Sequence, residues 1–474
     1  MLASRSFTLS DVASFAELSG DYNPMHIDPV AARRTMFGEC IVHGVFVLIW
    51  AVDRYQAATG SRQDWSKVAV RFTRAALVGM PVSLTANGTP DGKVDLTVTS
   101  DGHPILQCGL SFAADSNSVM QHAVVHDSLP PREIPAHPTL VEDKDLADTL
   151  ELHYSQEHGK RLFPALTNSG SLLPLAVLLA ASRIIGMRIP GEHSLFLKLS
   201  LGFSQPAIPG HPFGYRLVKY RKTSQRVAVA IEGAGCEGTL TAFVRPAPVT
   251  QPAMAVVKEK VPTGRFAGRR ILVVGGSRGL GEVAAKILAA GGAEVALTYR
   301  LGQDDADKIV ADIQKHGGTA TCFQLDTASR SWEKGLSVHG PGFDHLCYFA
   351  TPPIAGGDGQ TFNQPLYEKF AAVYVSGLFD IAQWIAGRTN GRFALFNASS
   401  AAVEAPPPRL LEYAAAKAAS EACCRWLAGA YPQARIYIAR FPRLPTDQLS
   451  FDPALSGIDT LEPVLAELSR WLPA

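Results

Sequence analysis

The run Leu18-Ser-Gly-Asp-Tyr-Asn-Pro-Met-His-Ile-Asp28 decides how the first part of this 474-residue chain folds. It places a carboxylate, Asp21, and an imidazole, His26, on either side of Pro24. Proline fixes its own φ and pushes the preceding Asn23 toward an extended conformation, so the two side chains can face each other without helical spacing. An acid and an imidazole directed at one small volume can move protons on either side of a C–C bond. The run therefore predicts a proton-transfer site.

The pair His43-Gly44 lies a short way downstream, within the run Ile41 to Asp53. This run is apolar nearly all round, which is typical of a helix enclosed by other structure. Backbone N–H groups at the start of a helix carry partial positive charge and can hold the oxygen of a polarised thioester. We therefore expect the amide of Gly44 to face the proton-transfer site.

These residues carry a family resemblance: Ser-Gly-Asp-x-Asn-Pro-x-His-x-Asp with a downstream His-Gly resembles the MaoC-type, (R)-specific enoyl-thioester hydratases of the hotdog fold. The resemblance implies that Asp21 and His26 are the catalytic pair and that Gly44 supplies the thioester-binding amide. It also implies a central helix wrapped by an antiparallel sheet. The alternative is an ordinary Asn-Pro turn with a capping Asp and a surface His, and the completeness of the pattern disfavours it.

Strand-like alternation follows the motif at 67–73, 82–86, 94–98 and 106–112, broken by turns such as Asp91-Gly92. A short helix, 11–16, capped by Ser10, precedes the motif. A Pro-rich connector then leads to a second very apolar helix, 172–185, and a strand, 195–203. The equal spacing in Phe72 to Gly79 and Phe203 to Gly210 indicates a weak repeat. We predict two hotdogs in tandem.

The second copy has no Asp-x-Asn-Pro-x-His run; its nearest candidate, Phe163 to Gly170, has neither a carboxylate nor an imidazole. We expect an inert half that completes the sheet and the acyl tunnel. The basic stretch Tyr215 to Arg226 is interpreted first as a solvated strand face. The alternative is a landing site for the phosphates of coenzyme A or for an acidic carrier protein.

The segment Arg270-Ile-Leu-Val-Val-Gly-Gly-Ser-Arg-Gly-Leu-Gly281 begins a different pattern, a buried strand followed by a glycine turn and a helix. Its spacing puts Gly275, Gly279 and Gly281 where backbone approaches a pyrophosphate and where a helix packs closely on a sheet. Further strands at 295–299, 320–325, 346–350, 394–398 and 436–439 alternate with helices. The pattern predicts a doubly wound parallel sheet.

In this last third, Tyr413 and Lys417 lie four residues apart on one helix face, and Ser400 ends the preceding strand. An ammonium near a phenol lowers the phenol's pKa and makes it a usable acid near neutral pH. With the glycine turn, these residues resemble the short-chain dehydrogenase/reductase family over about 200 residues. The resemblance implies that Ser400, Tyr413 and Lys417 form the catalytic trio.

Charge indicates which dinucleotide this domain takes. The second strand ends in Tyr299-Arg300 with no acid to hold a ribose diol, and Arg278 sits in the glycine turn, so a 2′-phosphate and hence NADPH is favoured. The resemblance implies further dinucleotide contacts at these residues: Ser277, Leu280, Asp326, Ala350, Tyr413, Lys417, Pro442 and Thr446.

Three departures from the family pattern accompany this trio. Tyr348-Phe-Ala-Thr351 stands for Asn-Asn-Ala-Gly, Tyr374 lies near the usual helix asparagine, and Pro442-Arg443 replaces Pro-Gly. These changes suggest reduced rather than absent activity.

The composition of the chain narrows the classes of binding partner and the expected cellular location. Lys plus Arg, 44, nearly balance Asp plus Glu, 43, so no strong field recruits nucleic acid or an anionic membrane. We find neither a signal peptide nor an apolar span, and the seven cysteines show no Cys-x-x-Cys spacing, so we expect a cytoplasmic protein with reduced thiols and no metal site. We predict five segments: a catalytic hotdog at 1–115, a linker at 116–142, a non-catalytic hotdog at 143–248, a linker at 249–266 and a Rossmann domain at 267–474.

The combination predicts an α+β double hotdog followed by an α/β Rossmann domain. It indicates a bifunctional enzyme that reduces a 3-oxoacyl thioester with NADPH and dehydrates the product, acting on acyl-CoA or acyl carrier protein, with a homodimer left open. One alternative is the degradative direction, hydration followed by oxidation. Others are a thioesterase in the hotdog half, or one inactive domain that binds acyl carriers.

Overall fold

The computed structural model describes residues 1–60, 65–88, 93–112, 125–140, 146–169, 172–203, 212–329, 331–339, 342–357, 359–449, 453–455 and 457–473. The chain divides into two compact units, Met1–Ala32 with Glu39–Ala247, and Arg33–Gly38 with Pro248–Ala474.

The first unit is built on one long antiparallel sheet. Its strands are β1 (Ala3–Ser6), β2 (Trp65–Phe72), β3 (Pro81–Gly88), β4 (Val94–Ser100), β5 (His103–Phe112), β7 (Ala147–Leu150), β9 (Ser194–Phe203), β10 (Phe213–Arg221), β11 (Arg226–Gly233) and β12 (Cys236–Val244), with β6 (Val125–His126) and β8 (Leu152–His153) paired separately. The order in the sheet is β1-β3-β4-β5-β2-β9-β12-β11-β10-β7. The two halves therefore share one sheet, joined where β2 pairs with β9.

The described part of this unit also contains seven α-helices. They are α1 (Leu9–Ser19), α2 (Pro24–Ile27), α3 (Pro29–Ala32), α4 (Gly44–Thr59), α5 (Gln156–Leu162), α6 (Pro164–Ser169) and α7 (Leu172–Arg183). The long helix of each half is buried nearly all round, α4 from Val45 to Asp53 and α7 over most of its length. The fully buried Asp53 of α4 accepts a hydrogen bond from the Leu166 backbone N–H of α6 at 3.0 Å, which ties the two halves together. The predicted double hotdog is confirmed.

Some sequence predictions need correction. The first helix begins at Leu9, and its N-cap is Thr8. The Thr8 hydroxyl accepts from the Asp11 backbone N–H, and the Asp11 carboxylate accepts from the Thr8 backbone N–H. The predicted cap at Ser10 is wrong because Ser10 already lies inside the helix. Helix α7 ends at Arg183 and continues as a π-helical turn, Ile184–Arg188. The predicted Asp91-Gly92 turn and most of the Phe203 to Gly210 repeat lie outside the described residues.

The basic stretch predicted at Tyr215 to Arg226 falls on β10 and the start of β11. Its cationic side chains are exposed: Arg216, Lys219, Arg221, Lys222 and Arg226. This agrees with a solvated strand face, and carrier binding there stays a prediction.

The second unit is a doubly wound α/β fold. Its strands are β13 (Arg270–Val274), β14 (Glu294–Tyr299), β15 (Thr319–Gln324), β16 (His345–Tyr348), β17 (Ala394–Ser400) and β18 (Arg435–Phe441). Its helices are α8 (Met254–Lys260), α9 (Gly279–Ala290), α10 (Gln303–Lys315), α11 (Trp332–His339), α12 (Gln364–Ala371), α13 (Leu378–Arg388), α14 (Leu411–Ala430) and α15 (Leu461–Trp471). All six strands are parallel in the order β15-β14-β13-β16-β17-β18.

This strand order confirms the predicted Rossmann-type sheet. From β13 the chain first builds outward to β14 and β15 and then continues on the other side with β16, so the strand order reverses between β13 and β16. Ligands of such sheets bind outside the carboxyl ends of the strands at this reversal. The predicted linker at 249–266 is not a free connector, because Met254 and Val257 of α8 are fully buried in the core of this unit.

One run in the second unit, Gln364–Arg388, is long and apolar enough by composition to cross a membrane, with a hydropathy of 1.3. It joins α12 and α13 through a π-helical turn, Ala372–Gly377. Fifty-six per cent of its most apolar window is buried, and Ile381 and Ile385 lie in the core. A buried core helix passes the same test, so the run is weak evidence for a membrane span.

Candidate active sites

The first site forms where α1 ends. Gly20 adopts a left-handed conformation, φ 73°, and stops the helix directly before Asp21. Asn23 caps α2 in an extended conformation, ψ 124°, as the following Pro24 requires. The predicted pair, Asp21 and His26, is buried together with His43. One carboxylate oxygen of Asp21 and one ring nitrogen of each histidine all lie within 4.8 Å of one another.

Backbone carbonyls determine which nitrogen of each imidazole carries the hydrogen. His26 Nδ1 lies 2.8 Å from the Ile41 carbonyl oxygen. Because a carbonyl only accepts, this nitrogen carries the hydrogen in the neutral ring and Nε2 keeps its lone pair. His43 Nε2 likewise donates to the Asp21 carbonyl oxygen at 2.9 Å. The His26 and His43 rings stack with centroids 3.7 Å apart.

Asp21, His26 and His43 have the chemistry to ligate a divalent cation. Metal ligands radiate from the ion, whereas these two imidazoles are stacked face to face with 26° between their planes. The arrangement suits proton transfer better than coordination.

The second half of the double hotdog supplies part of this site, which the sequence did not predict. The Ser182 hydroxyl of α7 donates to Asp21 Oδ2 at 2.7 Å. A Cβ at Gly186 would lie 2.1 Å from Asp21 Oδ1, so only glycine leaves room for the carboxylate. The Asn23 side-chain amide donates to the carbonyl oxygens of Gly186 and Glu192, each at 3.1 Å. A serine and a glycine inside an otherwise apolar helix were the available signal.

Burial sets the charge of the pair. Desolvation raises the pKa of Asp21, although His26 and the Ser182 hydrogen bond act to lower it. Desolvation, together with His43, lowers the pKa of His26 to about 3, and burial also lowers that of His43 to about 3. Both rings are therefore neutral near pH 7, and a protonated carboxyl group is favoured more than at the surface.

Helix α4 begins at Gly44 without a capping side chain. A Cβ at this position would lie 2.9 Å from the Phe72 ring of β2, so a larger residue would displace that ring. First-turn N–H groups lack intrahelical partners. The location agrees with the predicted thioester-binding role of Gly44, which stays a prediction.

In the second unit the glycine turn lies between β13 and α9, at the reversal of strand order. Gly275 has φ 81°, and a Cβ there would lie 2.7 Å from the Ala350 backbone. A Cβ at Gly281 would lie 2.2 Å from the Gly275 carbonyl oxygen. The Thr298 hydroxyl accepts from the Gly275 N–H at 3.1 Å and holds the turn, a contact that the sequence did not predict. This tight turn before a helix fits a pyrophosphate.

The remaining predicted dinucleotide contacts surround this turn. Ser277 is buried and Leu280 half-buried, and Thr446 is the side chain nearest to a Cβ at Gly279, at 3.7 Å. Arg278 Nη1 lies 3.4 Å from the buried Asp447 carboxylate, while Arg300 is exposed after β14. The Asp326 carboxylate accepts from the Ala328 N–H at 3.0 Å. Pro442 follows β18.

The trio Ser400, Tyr413 and Lys417 gathers at the end of β17 and the first two turns of α14. Tyr413 bonds the Ser400 side chain. Burial nevertheless raises the pKa of Tyr413 above its ordinary value. The expected lowering of the Tyr413 pKa by Lys417 is not found, and the Lys417 ammonium donates to the Ala398 carbonyl oxygen at 2.6 Å.

The first unit is a double hotdog that buries an Asp-His pair, and the second is an α/β fold with a dinucleotide-type turn and a Ser-Tyr-Lys group. Together they define a protein that joins a hydratase-type fold to a dehydrogenase-type fold. Comparison with protein families agrees: the MaoC like domain matches residues 2–99, and the short chain dehydrogenase family matches residues 269–441. The chain carries a MaoC-like dehydratase domain at its amino end and a short-chain dehydrogenase domain in its carboxyl-terminal part.

Individual relatives match one part each. Over 186 residues the chain is 30% identical to the uncharacterized oxidoreductase YghA of Escherichia coli K12, covering 37% of this chain and 63% of that protein. Over 44 residues it is 48% identical to the (R)-specific enoyl-CoA hydratase of Aeromonas caviae, covering 9% of this chain and 33% of that enzyme. A short chain dehydrogenase from Burkholderia cenocepacia in complex with NADP matches at 25% identity and a TM-score of 0.38, covering 44% of this chain and 92% of that structure. The chain thus spans less than two thirds of these two curated relatives.

Proposed function

We propose that this chain is a bifunctional acyl-thioester enzyme. Its carboxyl-terminal centre reduces a 3-oxoacyl thioester to the (R)-3-hydroxyacyl thioester with NADPH, and its amino-terminal centre removes water to give the trans-2-enoyl thioester, or adds it in reverse. The observation that best supports this proposal is that the buried Asp21–His26 pair and the Ser400–Tyr413–Lys417 group occur in the same chain. The product of one centre is then the substrate of the other, and tethering keeps it at high local concentration.

The dehydration step needs two groups on one face of the acyl chain, one that takes the α-proton and one that protonates the departing hydroxyl. Neutral His26 has a free Nε2 to take the α-proton, because its Nδ1–H is bound to Ile41. Burial favours the protonated form of Asp21, which suits it to protonate the departing hydroxyl. The Gly44 amide at the start of α4 would hold the thioester oxygen.

In the reduction step, C3 would receive a hydride from an NADPH held at the glycine turn between β13 and α9. Tyr413 donates the proton to the carbonyl oxygen that Ser400 holds, and Lys417 approaches the ribose. NADPH is favoured over NADH because Arg278 lies in the glycine turn and Arg300 follows β14, where Tyr299 stands in place of an acid.

Separate variants test the assignment of both centres. Wild type should oxidise NADPH with a 3-oxoacyl thioester and release the enoyl product. Tyr413→Phe should lose NADPH oxidation yet still dehydrate supplied 3-hydroxyacyl thioester, whereas Asp21→Asn should consume NADPH and accumulate the hydroxyacyl product. Tyr431→Phe, at the far end of α14, is the matched control. NADPH oxidation intact in Tyr413→Phe would defeat the reductase assignment.

A second candidate is that the dehydrogenase domain is inactive and binds acyl carriers. Tyr348 and Tyr374 favour it, since both depart from the family pattern and both are fully buried, and Tyr374 packs against Tyr413. Wild-type protein that dehydrates but never oxidises NADPH would support this candidate. Offering the same acyl group on coenzyme A and on a carrier protein would identify the carrier.

A further inference from the structure

The ammonium of Lys417 is buried with few partners. It donates to the Ala398 carbonyl, and its Nζ lies 4.0 Å from the centre of the Tyr374 ring. Within the described part of the chain, no carboxylate forms an ion pair with it. Cys424 and Glu421, on the same helix, favour the charged form of Lys417, but the Glu421 carboxylate is already bound by Ser399 and Arg440.

The Tyr374 ring is itself held in place. Its hydroxyl bonds the Thr351 hydroxyl at 2.5 Å. Phe370 stacks on it with centroids 5.9 Å apart, and Tyr413 meets it edge to face at 5.8 Å. The ring therefore presents a fixed π face to the ammonium and an edge contact to the phenol that the mechanism uses.

A cation above an aromatic face is stabilised by the ring quadrupole, and the effect grows when water is excluded. We propose that Tyr374 is a positioning residue of the reductase centre, whose ring face keeps Lys417 in its charged form next to Tyr413. The proposal rests on the proposed reductase activity. It assigns to an aromatic ring a task that a carboxylate or a bound water could otherwise perform.

The contact between Tyr374 and Lys417 should affect the pH at which Lys417 loses its charge. Burial lowers the pKa of Lys417 to about 7, so the ammonium is only marginally retained at neutral pH. Removing the ring destabilises the charged form, so that pKa falls further. Activity that needs the ammonium is then lost at a lower pH on the alkaline side.

Paired variants separate the ring from its hydroxyl. Tyr374→Leu removes the π face, whereas Tyr374→Phe keeps it and loses only the bond to Thr351; Thr351→Val removes that bond from the other side. We expect the alkaline limb of NADPH oxidation to move down by about one pH unit in Tyr374→Leu, with the rate at pH 7.5 reduced about fivefold or more, and to stay in place in Tyr374→Phe and Thr351→Val.

A readout independent of turnover accompanies the kinetics. In lysine-labelled protein, the Lys417 NMR signal, assigned with Lys417→Met, should titrate near neutral pH in wild type and at lower pH in Tyr374→Leu. Equal titration in wild type, Tyr374→Leu and Tyr374→Phe would overturn the proposal, and so would an equal shift in both variants. If wild type fails to oxidise NADPH, the proposed function fails, while the NMR titration still decides whether the ring holds the charge.

Discussion

The Ser182 hydroxyl donates to Asp21 Oδ2 at 2.7 Å, although the two residues lie in different halves of the double hotdog. The half without an Asp-His run therefore does more than complete the sheet. It supplies the hydrogen bond that opposes the effect of burial on the pKa of Asp21.

Replacing Ser182 should shift the pH dependence of the hydratase centre. Ser182→Ala removes a hydrogen bond to the carboxylate, so the pKa of Asp21 rises further, by about one to two units if the bond contributes 1.5–3 kcal/mol. The Asp21-dependent limb of the pH–rate profile for enoyl-thioester hydration should move to higher pH by that amount. Ser155→Ala, another buried serine of this unit, should leave the profile unchanged, and an unmoved limb in Ser182→Ala would contradict the assignment.

Adding one methyl group at Gly186 should disable the same centre. A Cβ in Gly186→Ala would lie 2.1 Å from Asp21 Oδ1 and must displace the carboxylate. We expect at least about a hundredfold loss of hydration rate, since small misplacements of reacting groups cost that much. Gly88→Ala, where nothing lies within 4 Å, is the control. Circular dichroism would show whether both variants remain folded, and near-normal hydration by folded Gly186→Ala would count against this geometry.

Glu421 should link the stability of the second unit to pH. Burial alone would raise its pKa, but hydrogen bonds from Arg440 and Ser399 outweigh this and lower the pKa below the ordinary value of 4.5. The folded state thus holds a carboxylate that the unfolded state protonates more readily. The stabilisation is full above about pH 4.5 and is lost as the pH falls through the lowered pKa.

Substitution of Glu421 tests this linkage by denaturant unfolding. Glu421→Gln should lower the free energy of unfolding by about 1–3 kcal/mol at pH 7 and flatten its decline below pH 4.5. The control Glu404→Gln removes the exposed partner of the same Arg440 and should change little. Equal effects of the two substitutions would contradict the role given to Glu421.

Dinucleotide preference should follow the residue after β14. Arg300→Asp places an acid where it can accept from a ribose diol and repel a 2′-phosphate, so NADPH should bind at least about tenfold more weakly and NADH more tightly. Fluorescence titration with both dinucleotides measures this. Lys308→Asp, an exposed substitution on α10, controls for net charge, and an unchanged preference in Arg300→Asp would argue against a 2′-phosphate site.

The local sequence determined much of this protein. Alternation and apolar runs placed the strands and the buried helices, because burial on one face imposes periods that are readable along the chain. The Asp-x-Asn-Pro-x-His run and the glycine turn placed Asp21, His26 and Gly275, because turn residues and close backbone approach restrict residue type locally.

Only the tertiary structure decided what surrounds those residues. Ser182 and Gly186 lie more than 160 positions from Asp21, and although they stand out in an apolar run, the sequence does not say which distant residue they contact. The Lys417 ammonium faces Tyr374 rather than lowering the pKa of Tyr413, because desolvation and contacts depend on three-dimensional packing. The sequence by itself determined which chemical groups are present, and the packing of distant segments decided their charge and orientation.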